Sequence, residues 1–295
     1  MKKVLSLFLA ALMLFSVMAV FTACGGNDDY VAVDATDLLK EDFGIAVKKG
    51  SSELLAEVNE VVDAWVADGT MTKYVDYYTA LAEYAEDSTK AAPVAGDLKT
   101  SWDFGSATDK ITVYTESGFA PFEFIYEGNV VGVDIAIMSQ VAVNMGKTIE
   151  IKDIVFDTIP TAVKTATGLA VGAAGMTINE ERAQEVDFSS IYYSSTLVIV
   201  SNKENSYASV KDLSGLKVGV QEGTSGDLII SAAKKAEGHV YEDGDGNTVT
   251  VTVDGATDVR QYKQYALALA DLKNGRIDAI LMDKLPAQTM LATMK

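Results

Sequence analysis

The residues best suited to binding chemistry lie between 173 and 189, where an apolar run is followed by hydroxyl, amide and guanidinium groups. We predict that residues 169–174 form a buried strand and that Asn179 caps a helix behind it. The start of a helix presents unpaired backbone N–H groups, which suit an anion. Thr177 adds a hydroxyl, and Arg182 adds a planar guanidinium that fits a carboxylate in two places. The segment therefore predicts a carboxylate-binding site that needs no catalytic group.

The same segment also permits a simpler interpretation. It could be an ordinary surface strand, turn and helix in which Arg182 pairs with Glu181 or Glu185. Spacing alone supports the two interpretations equally.

The sequence AAGMTINEERAQEVDFSSIYYSSTLVIV, residues 173–200, resembles the signature of the family 3 extracellular solute-binding proteins, which are the amino-acid-binding subunits of ABC importers. In that family the segment binds the α-carboxylate of the ligand and leads into the hinge. The resemblance covers nearly all of the chain after its N-terminal signal. It implies an α/β fold of the periplasmic-binding-protein-like type II, with two lobes and a two-strand hinge.

The segments that resemble this family stand in an unusual order. Residues 42–78 resemble the return hinge strand and the last helices of lobe one, but they precede residues 110–124, which resemble the family's first strand and ligand loop. Residues 87–109 are polar and are interpreted as a linker that joins the two positions at which a chain in the family's usual order begins and ends. We therefore expect a circular permutation, which is tolerated where chain ends lie close together at the surface. A truncated tandem duplication would need a second copy of some segment, and the sequence contains none.

The permutation predicts a specific assembly of the chain. Strands alternate with helices from residue 110 onward, as in a sheet with crossover helices. We expect Val31–Val33 to pair in the sheet of lobe two and Phe43–Val47 to run beside Leu197–Val200. The hinge would then consist of 40–47 and 192–200. The expected divisions are a signal sequence at 1–23, a tether at 24–29, lobe one at 41–199 including the linker 87–109, and lobe two at 30–40 and 200–295.

Three further local expectations come from the residue pattern. Asp134 should cap a helix that continues to Met145, and residues 262–273 should form another helix. Residues 240–253 should form a β-hairpin. The acidic centre of that hairpin, residues 243–247, lacks the spacing of a calcium-binding EF-hand loop.

The N-terminus has the pattern of an export signal. Two lysines precede an apolar run over residues 4–21, and small residues follow it. Residues 21–24 resemble a bacterial lipobox, and Cys24 is the only cysteine. We expect Cys24 to carry a lipid that holds the protein on the extracytoplasmic face of the cell membrane. An uncleaved membrane anchor is the alternative, because the run is near the lower length limit for a spanning helix.

The composition restricts the class of partner. The formal net charge is −18, so the surface repels nucleic acid and anionic lipid. We expect no nucleic acid partner, no cofactor and no metal ion, and a monomer bound to the membrane only through its lipid. The partners implied by the resemblance are a free amino acid and the membrane subunits of an ABC importer.

The resemblance also implies a set of ligand contacts around one cleft. A zwitterion removed from water needs each charge paired. The carboxylate of the ligand would meet Thr177, Arg182 and Ser225, while its ammonium would meet Gly175, Thr177 and Asp283. Two phenylalanines would hold its side chain, and an acid and an amide would face the far end, which favours a polar or cationic amino acid. The full set is Glu116, Phe119, Phe156, Gly175, Thr177, Arg182, Gln221, Thr224, Ser225 and Asp283.

Two classes of function are compatible with this fold. One is a binding protein that captures an amino acid and delivers it to an importer. The other is an enzyme on the same fold, such as a prephenate or arogenate dehydratase. Acid–base catalysis needs a residue of suitable pKa beside the ligand. The only histidine, His239, lies in the hairpin insert and no base accompanies it, so the sequence favours binding.

Overall fold

A computed structural model describes residues 29–38, 40–205, 207–242 and 247–293. The predicted signal sequence, Cys24, most of the tether and the tip of the predicted hairpin lie outside these residues. None of the helices in the described part of the chain is both long and apolar enough to cross a membrane.

Eight α-helices are present in the described residues: α1 Ser52–Ala67, α2 Thr70–Glu86, α3 Val133–Asn144, α4 Ile159–Thr165, α5 Glu180–Glu185, α6 Ser225–Ala233, α7 Tyr265–Lys273 and α8 Lys284–Ala292. Short 3-10 helices lie at Phe156–Thr158 and Val210–Leu213. The strands of the described residues are β1 Tyr30–Asp34, β2 Glu41–Phe43, β3 Ala46–Val47, β4 Lys110–Thr115, β5 Gly118–Phe119, β6 Glu123–Tyr126, β7 Asn129–Val131, β8 Thr148–Asp153, β9 Ala170–Gly172, β10 Asp187–Phe188, β11 Tyr193–Ser195, β12 Leu197–Asn202, β13 Lys217–Gln221, β14 His239–Glu242, β15 Thr248–Val251, β16 Asp258–Tyr262 and β17 Ala279–Asp283.

The sheet of the first lobe has the order β10-β3-β9-β4-β8. Strand β4 runs parallel to both of its neighbours, β8 and β9. Alternation along β4 turns Ile111 and Val113 into the core, where they are fully buried. Helix α3 is buried along most of its length because it lies between this sheet and helix α1. Helix α2 packs against both α1 and α3, so the two N-terminal helices contribute to the core of the first lobe.

The sheet of the second lobe has the order β1-β12-β17-β13-β16. Strand β13 runs parallel to β16 and β17, while β12 is antiparallel to both of its neighbours. The N-terminal strand β1 completes the edge, with Val31 opposite Ser201 and Val33 opposite Ile199. The expected pairing of Val31–Val33 in this sheet is thus confirmed.

The hinge differs in register from the prediction. Strand β2 pairs with β11, so that Phe43 lies opposite Tyr193 and Glu41 opposite Ser195. The expectation that Phe43–Val47 runs beside Leu197–Val200 is wrong. Strand β12 begins with the uninterrupted apolar run Leu197–Val200, which suits its buried place between β1 and β17 in the second sheet. After the hinge, the second lobe consequently resumes at residue 197, three residues before the boundary expected from the sequence.

Two local predictions need correction. Asp134 does not cap a helix, because α3 already begins at Val133 and the Asp134 carboxylate is fully buried inside it. Its Oδ2 accepts hydrogen bonds from the Gly175 N–H and the Tyr192 hydroxyl, each at 3.0 Å. The helix predicted from residue 262 begins only at Tyr265, since residues 258–262 are drawn into β16 by parallel pairing with β13.

The predicted hairpin is present as the antiparallel pair β14 and β15. The cap predicted at Asn179 is present as well, since the Asn179 Oδ1 accepts the Arg182 N–H at 2.8 Å.

Candidate functional site

A cleft lies between the two lobes. All the residues that the sequence analysis assigned to the ligand line it, together with Ala174, which was not predicted. The first lobe contributes Glu116, Phe119, Phe156, Ala174, Gly175, Thr177 and Arg182, and the second contributes Gln221, Thr224, Ser225 and Asp283.

Sheet topology explains why residues so distant in sequence meet here. Glu116 follows the end of β4, and Gly175 and Thr177 follow β9. Gln221 ends β13 and Asp283 ends β17. The carboxyl ends of parallel strands meet at one edge of an α/β sheet, and ligands bind there. Each lobe therefore presents its strand ends to the same cleft.

Gly175 is a position that only glycine fits. Its backbone has a φ of +53°, and a Cβ there would lie 2.6 Å from the ring of Phe119. Its N–H is fixed by the buried carboxylate of Asp134. Burial raises the pKa of Asp134 to about 7. The hydrogen bond from Gly175 to Asp134 therefore holds the turn between β9 and α5 beside the ring of Phe119.

Arg182 is buried, with 7% of its surface exposed. Its guanidinium donates to the Thr177 carbonyl at 2.6 Å and, across the cleft, to the Gly223 carbonyl at 2.8 Å. It also lies over the ring of Phe156, 5.3 Å from the centroid. The alternative interpretation of Arg182 as a surface residue paired with a neighbouring acid is wrong, because it faces the cleft and Glu185 pairs with Lys164 instead.

Glu116 forms the opposite end of the cleft. Its carboxylate accepts hydrogen bonds from Gln264 Nε2 at 2.6 Å and from Gln221 Nε2 at 2.9 Å, both from the second lobe. Burial raises the pKa of Glu116, although these two bonds oppose the shift. Gln264 was not predicted, because nothing in the sequence distinguishes it from any other amide that immediately precedes a helix.

Glu41 is a second residue that sequence analysis missed. It lies in the hinge strand β2, 136 positions before Thr177, and its Oε2 accepts the Thr177 hydroxyl at 3.0 Å. Asp283 lies close by, and its Oδ1 has no hydrogen-bond partner in the described part of the chain. Burial raises the pKa of both carboxyls, and the negative charge of Glu41 raises that of Asp283 further.

The charges around the cleft are unequal. Among the described residues that line the cleft, Arg182 carries the one positive charge, while Glu116 and Asp283 are buried carboxyl groups. A third buried carboxyl group, that of Glu41, lies behind Thr177. A buried charge without a partner is costly. The arrangement therefore suits a molecule that carries one carboxylate and more than one positive charge.

Comparisons with known proteins agree with this chemistry. The family model "Bacterial extracellular solute-binding proteins, family 3" matches residues 111–282. The chain is 37% identical over 119 residues to the "Arginine-binding extracellular protein ArtP" of Bacillus subtilis, a match to 40% of this chain and 46% of that protein. It is 30% identical over 202 residues to "ABC transporter arginine-binding protein 1" of Escherichia coli, covering 68% of this chain and 74% of that one. The chain thus matches less than half of the first relative and about three quarters of the second.

Solved structures show the same likeness. The arginine-bound form of a truncated ArgBP from T. maritima superimposes with a TM-score of 0.51 at 32% identity, over 62% of this chain and 77% of that one. An ancestral arginine-binding protein bound to glutamine gives a TM-score of 0.51 at 33% identity, over 61% and 71% of the two chains.

The approach of the lobes can be tested at Gly223. Its φ is +77°, and a Cβ there would lie 2.7 Å from the Asp157 Cβ of the other lobe. Gly215 has nearly the same φ, +76°, but no atom within 4 Å of the Cβ position. Both Gly→Ala substitutions introduce backbone strain of about 1–3 kcal/mol, but only Gly223→Ala adds a contact between lobes. We expect a larger radius of gyration by small-angle X-ray scattering for Gly223→Ala than for Gly215→Ala. Equal radii would show that Gly223 does not limit closure.

Proposed function

Because this chain belongs to the bacterial extracellular solute-binding proteins of family 3, we propose that it captures a cationic amino acid, L-arginine above all, and delivers it to an ABC importer. The observation that carries the proposal is the excess of buried carboxyl groups over the single guanidinium in the cleft. The relatives named as arginine-binding proteins support the same choice. The family and its named members are binding proteins, which favours binding over the dehydratase alternative.

The two ends of the cleft differ in the charge they accept. At one end, Arg182, Thr177 and the backbone amide of Ser225 would bind the α-carboxylate, while Asp283, the Gly175 carbonyl and the hydroxyl oxygen of Thr177 would bind the α-ammonium. Phe119 and Phe156 would enclose the aliphatic part of the side chain. At the other end a guanidinium would meet Glu116, and planar guanidinium groups pair with carboxylates through two parallel hydrogen bonds. Closure of the lobes about the hinge would bring these groups together.

The first test measures the binding of three amino acids to the unsubstituted chain and of L-arginine to the variant Arg182→Ala. By isothermal titration calorimetry, we expect L-arginine to bind more tightly than L-glutamine or L-glutamate. Arg182→Ala should lose about 2–5 kcal/mol of binding free energy because it leaves a buried carboxylate unpaired. Arg276→Ala is the matched control, because that guanidinium pairs with Asp271 at the surface, far from the cleft lining. Binding of Arg182→Ala with unchanged affinity, or tight binding of L-glutamate by the unsubstituted chain, would contradict the proposal.

Glu116 gives the second test, of side-chain selectivity. Glu116→Gln should weaken L-arginine binding about ten- to a hundredfold, because a charge-assisted hydrogen bond contributes about 1.5–3 kcal/mol. L-glutamine binding should change little. Glu150→Gln removes an exposed carboxylate that pairs with Lys110 and is the control.

The pH dependence of the same binding follows from the raised pKa of Glu116. The neutral acid cannot pair with a cation, so L-arginine affinity should fall as the pH decreases through that pKa, at a higher pH than for an ordinary glutamate. The fall should be smaller in Glu116→Gln. An identical pH profile in the two proteins would remove Glu116 from the cation site.

We further propose that the chain is anchored by a lipid at Cys24. The support is the lipobox-like sequence at residues 21–24 and the polar tether behind it. Membrane fractionation of Cys24→Ala should find the protein released or its signal uncut; unchanged fractionation and mature mass would reject the anchor.

The last proposal concerns the order of the chain. We propose that it is a circular permutant in which residues 29–38 and 40 complete lobe two and residues 41–196 form most of lobe one. The support is the pairing of β1 with β12 and the packing of the last helix, α8, against β1. Residues 87–109 then connect α2 with β4 without a helix or strand of their own.

The permutation can be tested by rearranging the chain. Val94 is 88% exposed and marks a site where the linker can be opened. A chain that runs from 95 to 293 and then, through about ten glycine and serine residues, from 29 to 93 should fold and bind L-arginine as tightly as the unsubstituted protein. Loss of cooperative unfolding in the rearranged chain would contradict the proposed order.

A further inference from the structure

Glu41 lies where the two lobes and the hinge meet. It is 8% exposed at the start of β2 and opposite Ser195 of β11. Its Oε2 accepts the hydroxyl proton of Thr177 at 3.0 Å, and the Ser225 hydroxyl in turn donates to Thr177 Oγ1 at 3.2 Å. A chain of hydrogen bonds thus runs from helix α6 of the second lobe, through the first lobe, to the hinge.

The direction of these bonds determines what Thr177 can offer to a ligand. A hydroxyl has one proton to donate and two lone pairs to accept with. Because the proton of Thr177 goes to the Glu41 carboxylate, the Thr177 oxygen facing the cleft can only accept. Ser225 uses one lone pair, and one remains. Such an oxygen suits the ammonium of an amino acid better than its carboxylate.

The charges at this end lead to the same conclusion. Glu41 and Asp283 each interact with Arg182, and each raises the pKa of that guanidinium against the effect of burial. The guanidinium N–H groups are directed at the carbonyls of Thr177 and Gly223. Two buried carboxyl groups thus share one cation, and Asp283 Oδ1 has no partner among the residues described. An ammonium held between them supplies the missing positive charge.

We propose that Glu41 is a positioning residue for the α-ammonium of the ligand: it orients the Thr177 hydroxyl as an acceptor and adds a second negative charge beside Asp283. The inference rests on the proposed function and assigns a role to a hinge residue outside the cleft lining.

The test compares two ligands that differ only in the α-ammonium. L-arginine carries it, and 5-guanidinopentanoate lacks it but keeps the carboxylate and the guanidinium. Glu41→Gln keeps the shape and an acceptor oxygen but removes the charge. Calorimetry should show about a tenfold or greater loss of L-arginine affinity in Glu41→Gln, with 5-guanidinopentanoate affinity unchanged within about twofold. The unchanged binding of the second ligand also shows that the variant is folded.

Asp42→Asn provides the control on the same hinge strand. Asp42 also carries a carboxylate, but it bonds to the exposed Ser194 hydroxyl and does not reach the cleft. This variant should bind both ligands as the unsubstituted chain does.

Each other result is decisive. Equal weakening of both ligands in Glu41→Gln would show a purely structural role and overturn the proposal. Tighter binding of both would show that Glu41 competes with the ligand's carboxylate for Thr177, and would also overturn it. If the unsubstituted chain binds neither ligand, the proposed preference for arginine fails, and the role of Glu41 fails with it. Binding by the unsubstituted chain with no change in Glu41→Gln rejects the role of Glu41 alone.

Discussion

The arrangement of the cleft depends on the burial of a single guanidinium. A buried arginine keeps its charge, so all of its environment must provide acceptors or opposing charge. Arg182 meets this need with a carbonyl from each lobe and with nearby acids. Because one of those carbonyls is that of Gly223, the guanidinium ties the second lobe to the first. The same group that suits a ligand carboxylate is therefore also a contact that brings the lobes together.

The acids around the cleft follow from the same electrostatic constraint. Each carboxyl group has its pKa raised by burial, which shows that its surroundings do not fully compensate its charge. At the far end, Gln221 and Gln264 provide neutral donors to Glu116 but no positive charge. At the near end, Glu41 and Asp283 share Arg182. A ligand with two positive groups and one negative group would compensate both ends at once, which links the geometry of the cleft to its specificity.

The hinge connects this electrostatic centre to the architecture. Strand β2 is only three residues long, and it carries Glu41 at one end and Phe43 at the other. Phe43 packs in the aromatic cluster with Phe119 and Phe122, whose ring centroids lie 6.3 and 5.2 Å away. Motion at the hinge would therefore act on the wall of the cleft and on the hydroxyl of Thr177 together. Hinges of this type are a few residues at the ends of elements that absorb the change between open and closed forms.

Elements whose signals are local could be predicted from the residues alone. The cap at Asn179, the alternation of strands and helices and the hairpin of β14 and β15 depend on residues close to each other in sequence, and the structure contains them. The resemblance to one family, which covers nearly all of the chain after its N-terminal signal, identified ten residues for the ligand, and all of them line the cleft. The pairing of the N-terminal strand β1 with the second sheet could also be predicted. The resemblance requires one more strand in lobe two, and residues 30–34 stand where that strand is needed.

The groups that support the cleft lining from distant parts of the sequence could not be predicted, because folding brings them there. The hydrogen bonds that Asp134, Glu41 and Gln264 make to residues of the cleft lining depend on strand register and on the approach of the two lobes, and neither leaves a periodic signal. The register of the hinge was wrongly predicted for the same reason. Both 193–195 and 197–202 can form strands, and the more apolar of the two is the one that pairs inside the second sheet. Contacts between residues more than a hundred positions apart are fixed by packing, so they appear only once the chain has folded.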